Sequence, residues 1–522
     1  MEVVLPLLRG HISLEEALKD DNDVIQELSY PEMRSEFWLH LYRCRPHIEE
    51  IISQHLNVPC SDFRLGDVRE WLHGSFNACL PFYINANPRT SRLPKKGIIR
   101  FPLPYKIGEK PCPGNVDEKV RCEAATYIWL QRSCPKIPVP RLLGFGLPCG
   151  QSFTALENAS FLGRVSWHLK SIMARVFGTT LSPYIAHRRQ HALGLGYLII
   201  EYVCEGKMLS SSWEEHRSDR KRRANLFRGL SRIMLDLANQ PLPRIASWTI
   251  DDLGVINLAN RPLTLSLHQQ ENAGIPTGIP RHYTYTSVEP YYLDLLACQD
   301  NRIRHQPNSI HSIEDGEAQL AALTIMRALV PKFTDRRGRD GAFAFALTDL
   351  HPSNIFVDED WHITKVIDLE WACARPLEMI NAPYWISGHA LDDIVLHMEE
   401  SSASHAEFLG HFEREEMALY NSAERSEGLR ARWETESPWY FRALDESPGV
   451  LCDLFIDHIQ PKFARFNSNR DFNSSMAPFW DYGTARFVQA KLEKQEEYFG
   501  RLRRIFGAAT AEQGAVVGGE PC

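Results

Sequence analysis

No run of apolar residues in this 522-residue chain approaches the roughly 20 that a helix needs to cross a bilayer, so no helical membrane span is expected. The N-terminal stretch MEVVLPLLRGHISLEEALKDDND turns acidic early and has neither a basic lead nor a cleavage site of the secretory kind. The twelve cysteines contain no C-x-x-C pair and no dense cluster, which argues against a secreted disulfide framework and makes reduced thiols the default. Excess positive charge is missing as well: the formal net charge is −8, contrary to what general nucleic-acid binding asks for. His187 and His191 are spaced to share a helix face, yet no acidic third ligand in a recognised pattern follows, so a solvated face is expected there. A cytoplasmic protein is the resulting expectation, with neither nucleic acid nor a membrane as partner.

What the chain does have is 44% hydrophobic residues, enough to bury large cores, and one segment dense in chemistry, FALTDLHPSNIFVDEDWHITKVIDLE from Phe345 to Glu370. The apolar run AFAFAL delivers Asp349 to a loop that Pro352 and Ser353 turn sharply. Asn354 then opens the run IFVD, and ITKVID returns after the turn residues Asp358 to His362, predicting a hairpin whose second strand ends at Asp368. The amide oxygen of Asn354 and the carboxylate of Asp368 can thereby share a hard cation such as Mg²⁺. Asp349 is left to accept the proton of a substrate hydroxyl, and the set points to phosphoryl transfer, a reaction that asks mainly for positioning.

Upstream, WLHGSFNACLPFYI (Trp71 to Ile84) reads as two strands joined by a small-residue turn at Gly74 and Ser75. The strand GIIRFPLP carries Arg100 between apolar neighbours. The run Asp117 to Cys134 has the apolar spacing of a helix, with Glu123 beside the stripe and Glu118 as a competing acid. A buried strand, GLGYLIIEYVCEGKML, follows at Gly194 to Leu209.

These pieces resemble, in order, the aminoglycoside phosphotransferase family of the protein-kinase-like superfamily. The family commonly writes its catalytic loop HGDLHPGN followed by I-D-x-E; this chain reads LTDLHPSN and then Ile367-Asp368-Leu369-Glu370, with Leu347 in place of the histidine. No DFG or APE activation segment of a protein kinase is present. The resemblance covers most of Asp67 to Arg375 and includes the string Ile137-Pro138-Val139-Pro140.

It implies an α+β, two-lobed kinase-like fold: a small antiparallel-sheet lobe over 67–204, interrupted by an insertion at about 151–196, and a larger, mainly helical lobe over 205–506. A helical extension (1–66) and a flexible tail (507–522) flank them. ATP and Mg²⁺ are the implied cofactors and a small-molecule hydroxyl the implied acceptor. Gly74, Ser75 and Asn77 would line the phosphate loop, Arg100 held by Glu123 would steady the phosphates, and backbone groups of Glu201, Tyr202 and Val203 would read the adenine. Asp349 would be the base, with Asn354 and Asp368 the metal ligands.

Substrate identity is expected in the segments Gln151–Gly196 and Pro262–Gln306, and acidic residues such as Glu378, Asp392, Asp393, Glu399 and Glu400 are candidates for a cationic acceptor. Because Leu347 replaces the histidine, a catalytically impaired nucleotide- or partner-binding module stands as the alternative. An unrelated helical interaction protein is a third reading, which requires that 67–204 form no sheet.

Overall fold

In the computed structural model, residues 3–88, 90–188, 193–389, 394–435, 437–446, 448–463 and 469–517 are described; Asp392, Asp393 and His191 lie outside them. The architecture is mixed α+β. Its largest sheet has eight strands, all antiparallel, in the order Phe63–Leu65, Asn77–Ile84, Lys96–Pro102, Tyr197–Glu201, Leu142–Gly146, Gln151–Ala155 and Tyr184–Arg188, with Leu72–His73 paired onto Asn77–Ile84. That sheet removes the purely helical reading. It also takes in Phe63–Leu65 from the expected extension, and two of its strands, Gln151–Ala155 and Tyr184–Arg188, come from the expected insertion. The last helix, Thr484–Val517, continues past residue 507.

Both faces of the sheet are covered, and strand alternation decides which side chain meets which cover. Ile99 and Phe101 point into a core shared with Leu41, Ile48 and Ile52 of the helices Val24–Arg43 and Arg45–Leu56. Ile98, one residue out of phase, packs instead into the core of helix Asn115–Ser133, and Arg100 shares its side of the strand. Gly97 lies within this strand because a Cβ there would be 2.2 Å from the Phe82 ring.

Helix Asn115–Ser133 is fixed by charge as well as by apolar contact. Glu118 accepts from both Nε and Nη2 of Arg261 at 2.9 Å and from Arg281 Nε at 3.1 Å, while Arg261 also pairs with Glu271 at 2.6 Å. Arg261 immediately precedes the segment Pro262–Gln306, in which substrate identity was expected. In the structure that segment carries the helices Leu265–Asn272 and Val288–His305 and packs into the body of the protein.

In the segment Phe345 to Glu370 the expected hairpin forms, but its second strand ends at Val366, two residues before Asp368. Ala344–Leu347 pairs with Ala372–Arg375, and Ile355–Val357 forms a hairpin with Ile363–Val366. Among the described residues no helix is long and apolar enough to cross a membrane.

Arg261 is 2% exposed, so Arg261→Ala would take from the buried Glu271 its cation and leave the buried Glu118 with Arg281 alone. We expect it to cost about 3–5 kcal/mol in urea unfolding, far more than loss of an exposed pair such as Lys19–Glu15.

Candidate active site

Arg100 emerges from its strand into a space closed by helix Asn115–Ser133 on one side and by residues 367–371 on the other. Lys119 and Glu123, four residues apart, present one helical face to it. Arg100 Nη1 donates to Glu123 Oε1 at 3.0 Å; its Nη2 pairs with Asp368 and lies 3.5 Å from Glu370 Oε2. Lys119 Nζ pairs with Glu370 and donates to Asn77 Oδ1 at 2.9 Å, and Asn77 Nδ2 donates to Glu370 at 2.9 Å. Three carboxylates thus share two cations.

The imbalance is visible in the acids. Burial pushes Glu123 upward more strongly than Arg100 pulls it down, and Asp368 is raised for the same reason. For Glu370 burial is again the largest influence, but Lys119 and Arg100 together outweigh it and hold the group below the usual glutamate value. Glu123 Oε2 is buried with no hydrogen-bond partner among the described residues. Oxygens of Glu123, Asp368 and Glu370 lie within 4.8 Å of one another. An all-oxygen donor set with surplus negative charge and one unpaired atom fits a hard cation such as Mg²⁺, although Arg100 holds Asp368 directly and would have to yield it.

Asp349 and Asn354 adjoin this cluster. Asn354, 7% exposed, donates from Nδ2 to the Asp349 carbonyl at 2.9 Å and to its carboxylate at 3.1 Å. That commits the amide nitrogen and leaves Oδ1 as the atom for a cation. Ile367 N donates to the Asn354 carbonyl at 2.9 Å, tying the residue before Asp368 to the loop. Asp368 has φ of +58°, a left-handed conformation that aspartate tolerates better than most residues. Burial, followed by the nearby charges of Glu370 and Asp368, pushes Asp349 up to about 7 against the opposing bond from Asn354.

Leu347, where the family motif has histidine, pairs with Ala372 and packs against the main core. The loop is braced by other means: Thr348 Oγ1 donates to the Trp371 carbonyl, and Trp385 Nε1 donates to the Leu350 carbonyl at 2.8 Å.

Gly74 and Ser75 form the turn between paired strands, closed by Gly74 N to the Asn77 carbonyl at 2.9 Å, with Ser75 exposed. Phe76 sets its ring edge-on to Trp371 at 4.7 Å, so the turn is pinned beside Glu370. Of the residues assigned to adenine, Glu201 and Tyr202 donate their N–H groups to the carbonyls of Arg141 and Lys96 at 2.9 and 3.1 Å. Val203 is the member of the three left with an uncommitted backbone donor among the described residues.

Sequence reasoning missed the part played by Lys119 and Glu370 and the side-chain role of Asn77. The signal for Lys119 was its spacing of four from Glu123. Nothing local distinguishes Asn77, whose partners lie 42 and 293 positions away. Glu118, the competing acid, serves Arg261 and does not meet Arg100.

No protein-family model matches the chain, and no curated protein matches it. Among solved structures it is similar to a thermostable mutant of aminoglycoside phosphotransferase APH(4)-Ia, crystallised as a ternary complex with AMP-PNP and hygromycin B. The identity is 13% and the TM-score 0.35, over 83% of this chain and 95% of that one. A likeness of that size assigns neither family nor substrate.

A carboxyl whose pKa is raised on folding holds a proton that the unfolded chain releases, so its cost to stability grows as pH rises from about 4 to about 7 and then levels off. In metal-free buffer with chelator, Asp349→Asn should therefore raise Tm by about 1–3 °C at pH 8 and leave it unchanged near pH 4.

Proposed function

We propose that this protein is an ATP- and Mg²⁺-dependent phosphotransferase of two-lobed, protein-kinase-like type, acting on a hydroxyl of a small molecule. The observation that carries the reading is the single cluster in which the Arg100–Glu123 pair meets Asp368, with Asn354 and Asp349 alongside. Mg²⁺ held by Asn354 and Asp368 would neutralise the phosphate oxygens of the nucleotide as charge shifts during transfer. Arg100, kept in place by Glu123, offers its guanidinium to the same phosphates. The Gly74–Ser75 turn covers them, and the Val203 N–H is the donor available to the base. Asp349, with a pKa of about 7, is poised to take the proton of the acceptor hydroxyl near neutral pH.

Asp349 also lines a cavity of about 410 Å³, to which the Arg100 strand contributes no residue, with walls that include Leu347, Tyr384, Trp385, Trp433 and Trp439. Its other carboxylates are already paired: Asp445 with Arg375 at 2.5 and 2.8 Å, and Glu446 with Arg442 at 2.6 Å. Glu378, Glu399 and Glu400, considered from sequence for a cationic acceptor, are not among the lining residues. An uncharged alcohol with an aromatic or aliphatic body suits these walls better than a polycation. The segment 262–306 contributes Thr264, Leu265, Ser266 and Gln269 to the cavity, whereas none of the described residues of 151–196 lines it.

The second reading, a nucleotide-binding module without turnover, is favoured by one observation: Arg100 occupies Asp368, so a metal must displace it.

Phosphate transfer from ATP to a panel of hydroxyl compounds separates the two. The enzyme reading expects Mg²⁺-dependent transfer that rises with pH through about 7, as Asp349 ionises. It also expects a loss of about 10²- to 10⁴-fold in Asp349→Ala with nucleotide binding retained, and weakened nucleotide binding in Asp368→Ala. Nucleotide binding with no transfer to any hydroxyl supports the module instead, and absence of both sinks the two readings together.

A further inference from the structure

The helix Phe161–Val176 turns its apolar side outward. Leu162, Leu169, Ile172 and Val176 are 77%, 61%, 60% and 77% exposed, and Phe161, Val165, Met173 and Phe177 are exposed as well. At about 100° per residue these positions fall on one face. The opposite stripe, Gly163, Trp167, Ser171 and Ala174, is the one the protein covers: Ser171 is buried, a Cβ at Gly163 would lie 3.4 Å from Ile185, and Trp167 Nε1 donates to the Ser182 carbonyl at 3.0 Å. Arg164 and Arg175 fall on one flank between the two stripes and Lys170 on the other.

Along the stretch of sequence that carries this helix the charge reverses that of the whole chain. From Asn158 to Ile200 there is no Asp or Glu, but Arg164, Lys170, Arg175, Arg188 and Arg189 are present, in a protein of net charge −8. We propose that this helix is an interfacial anchor that seats the protein on an anionic lipid surface. The outward face enters the acyl boundary, while the flanking cations reach the headgroup phosphates, their aliphatic stems lying along the helix.

Sixteen residues give a helix of about 24 Å with three full charges, built to lie in the interface and not to cross it. The absence of a spanning run, from which no membrane partner was expected, does not bear on a helix that lies flat. Pairing with a second copy is disfavoured, because it would oppose two sets of cations with no carboxylate on either helix. The proposal is independent of the phosphotransfer reading.

The test is co-sedimentation of the full-length protein with vesicles of phosphatidylcholine alone, or with about 30 mol% phosphatidylserine. Binding to the anionic vesicles should be at least about tenfold tighter than to the neutral ones and should weaken with salt. Leu169→Glu combined with Ile172→Glu, and separately Arg164→Gln with Lys170→Gln and Arg175→Gln, should each reduce it by about tenfold. Leu169, Lys170, Ile172 and Arg175 are exposed and Arg164 is half-buried, so an unchanged Tm checks that each variant is folded. No binding to anionic vesicles, equal binding to both kinds, or unaltered binding by either variant overturns the proposal. A dimer in light scattering that Leu169→Glu with Ile172→Glu dissociates, without vesicle binding, also overturns it and assigns the face to a second copy.

Discussion

The constraint on which the candidate site depends is that two buried carboxylates, Glu123 and Glu370, and a half-buried third, Asp368, share two buried cations. Arg100 and Lys119 are 4% and 0% exposed, and Glu123 and Glu370 are 0% and 2% exposed. Each would be costly alone, since an unpaired ion in such a place destabilises by several kcal/mol. Together they join two strands, a helix and the segment after the hairpin, parts of the chain as far apart as Asn77 and Glu370. The cluster is therefore both a structural clasp and a place where negative charge is left over. A third cation completes the charge, which is why the same residues that hold the fold together are the ones proposed to receive a metal-nucleotide.

A second ionic clasp makes the first one specific. Glu118 and Glu123 sit five residues apart on one helix and so face different directions. Arg261 and Arg281 take Glu118, and Arg100 is left with Glu123. Helix Asn115–Ser133 is thus fixed in rotation by charge at two places and by apolar packing along the rest. Its buried side chains include Val120, Ala124, Tyr127 and Ile128, the stripe that periodicity picks out.

The sequence made local matters legible. Apolar runs beside small-residue turns located the strands on either side of Arg100, apolar spacing located the Glu123 helix, and turn residues located the hairpin from Ile355 to Val366. It also made plain that Asp349 and Asn354 share a short loop, because five residues cannot take them far apart. Long-range pairing was not legible: whether Glu118 or Glu123 would meet Arg100 depended on Arg261, and Glu370 gained its partners from Lys119 and Asn77, far upstream. The partners of the two long segments were not legible for the same reason: two strands of 151–196 join the large sheet, and Arg261, beside 262–306, pairs with Glu271 within it. The exposure of helix Phe161–Val176 could not be read at all, because an amphipathic pattern does not say which way its apolar face turns.

Phosphotransfer at this site requires Arg100 and Asp368 to exchange each other for phosphate and metal. Calorimetric titration of the full-length protein with ATP, in Mg²⁺ and again in EDTA, tests that most directly. Saturable binding in Mg²⁺ that disappears in EDTA is the predicted result. No binding in Mg²⁺, or equal binding in EDTA, would contradict it.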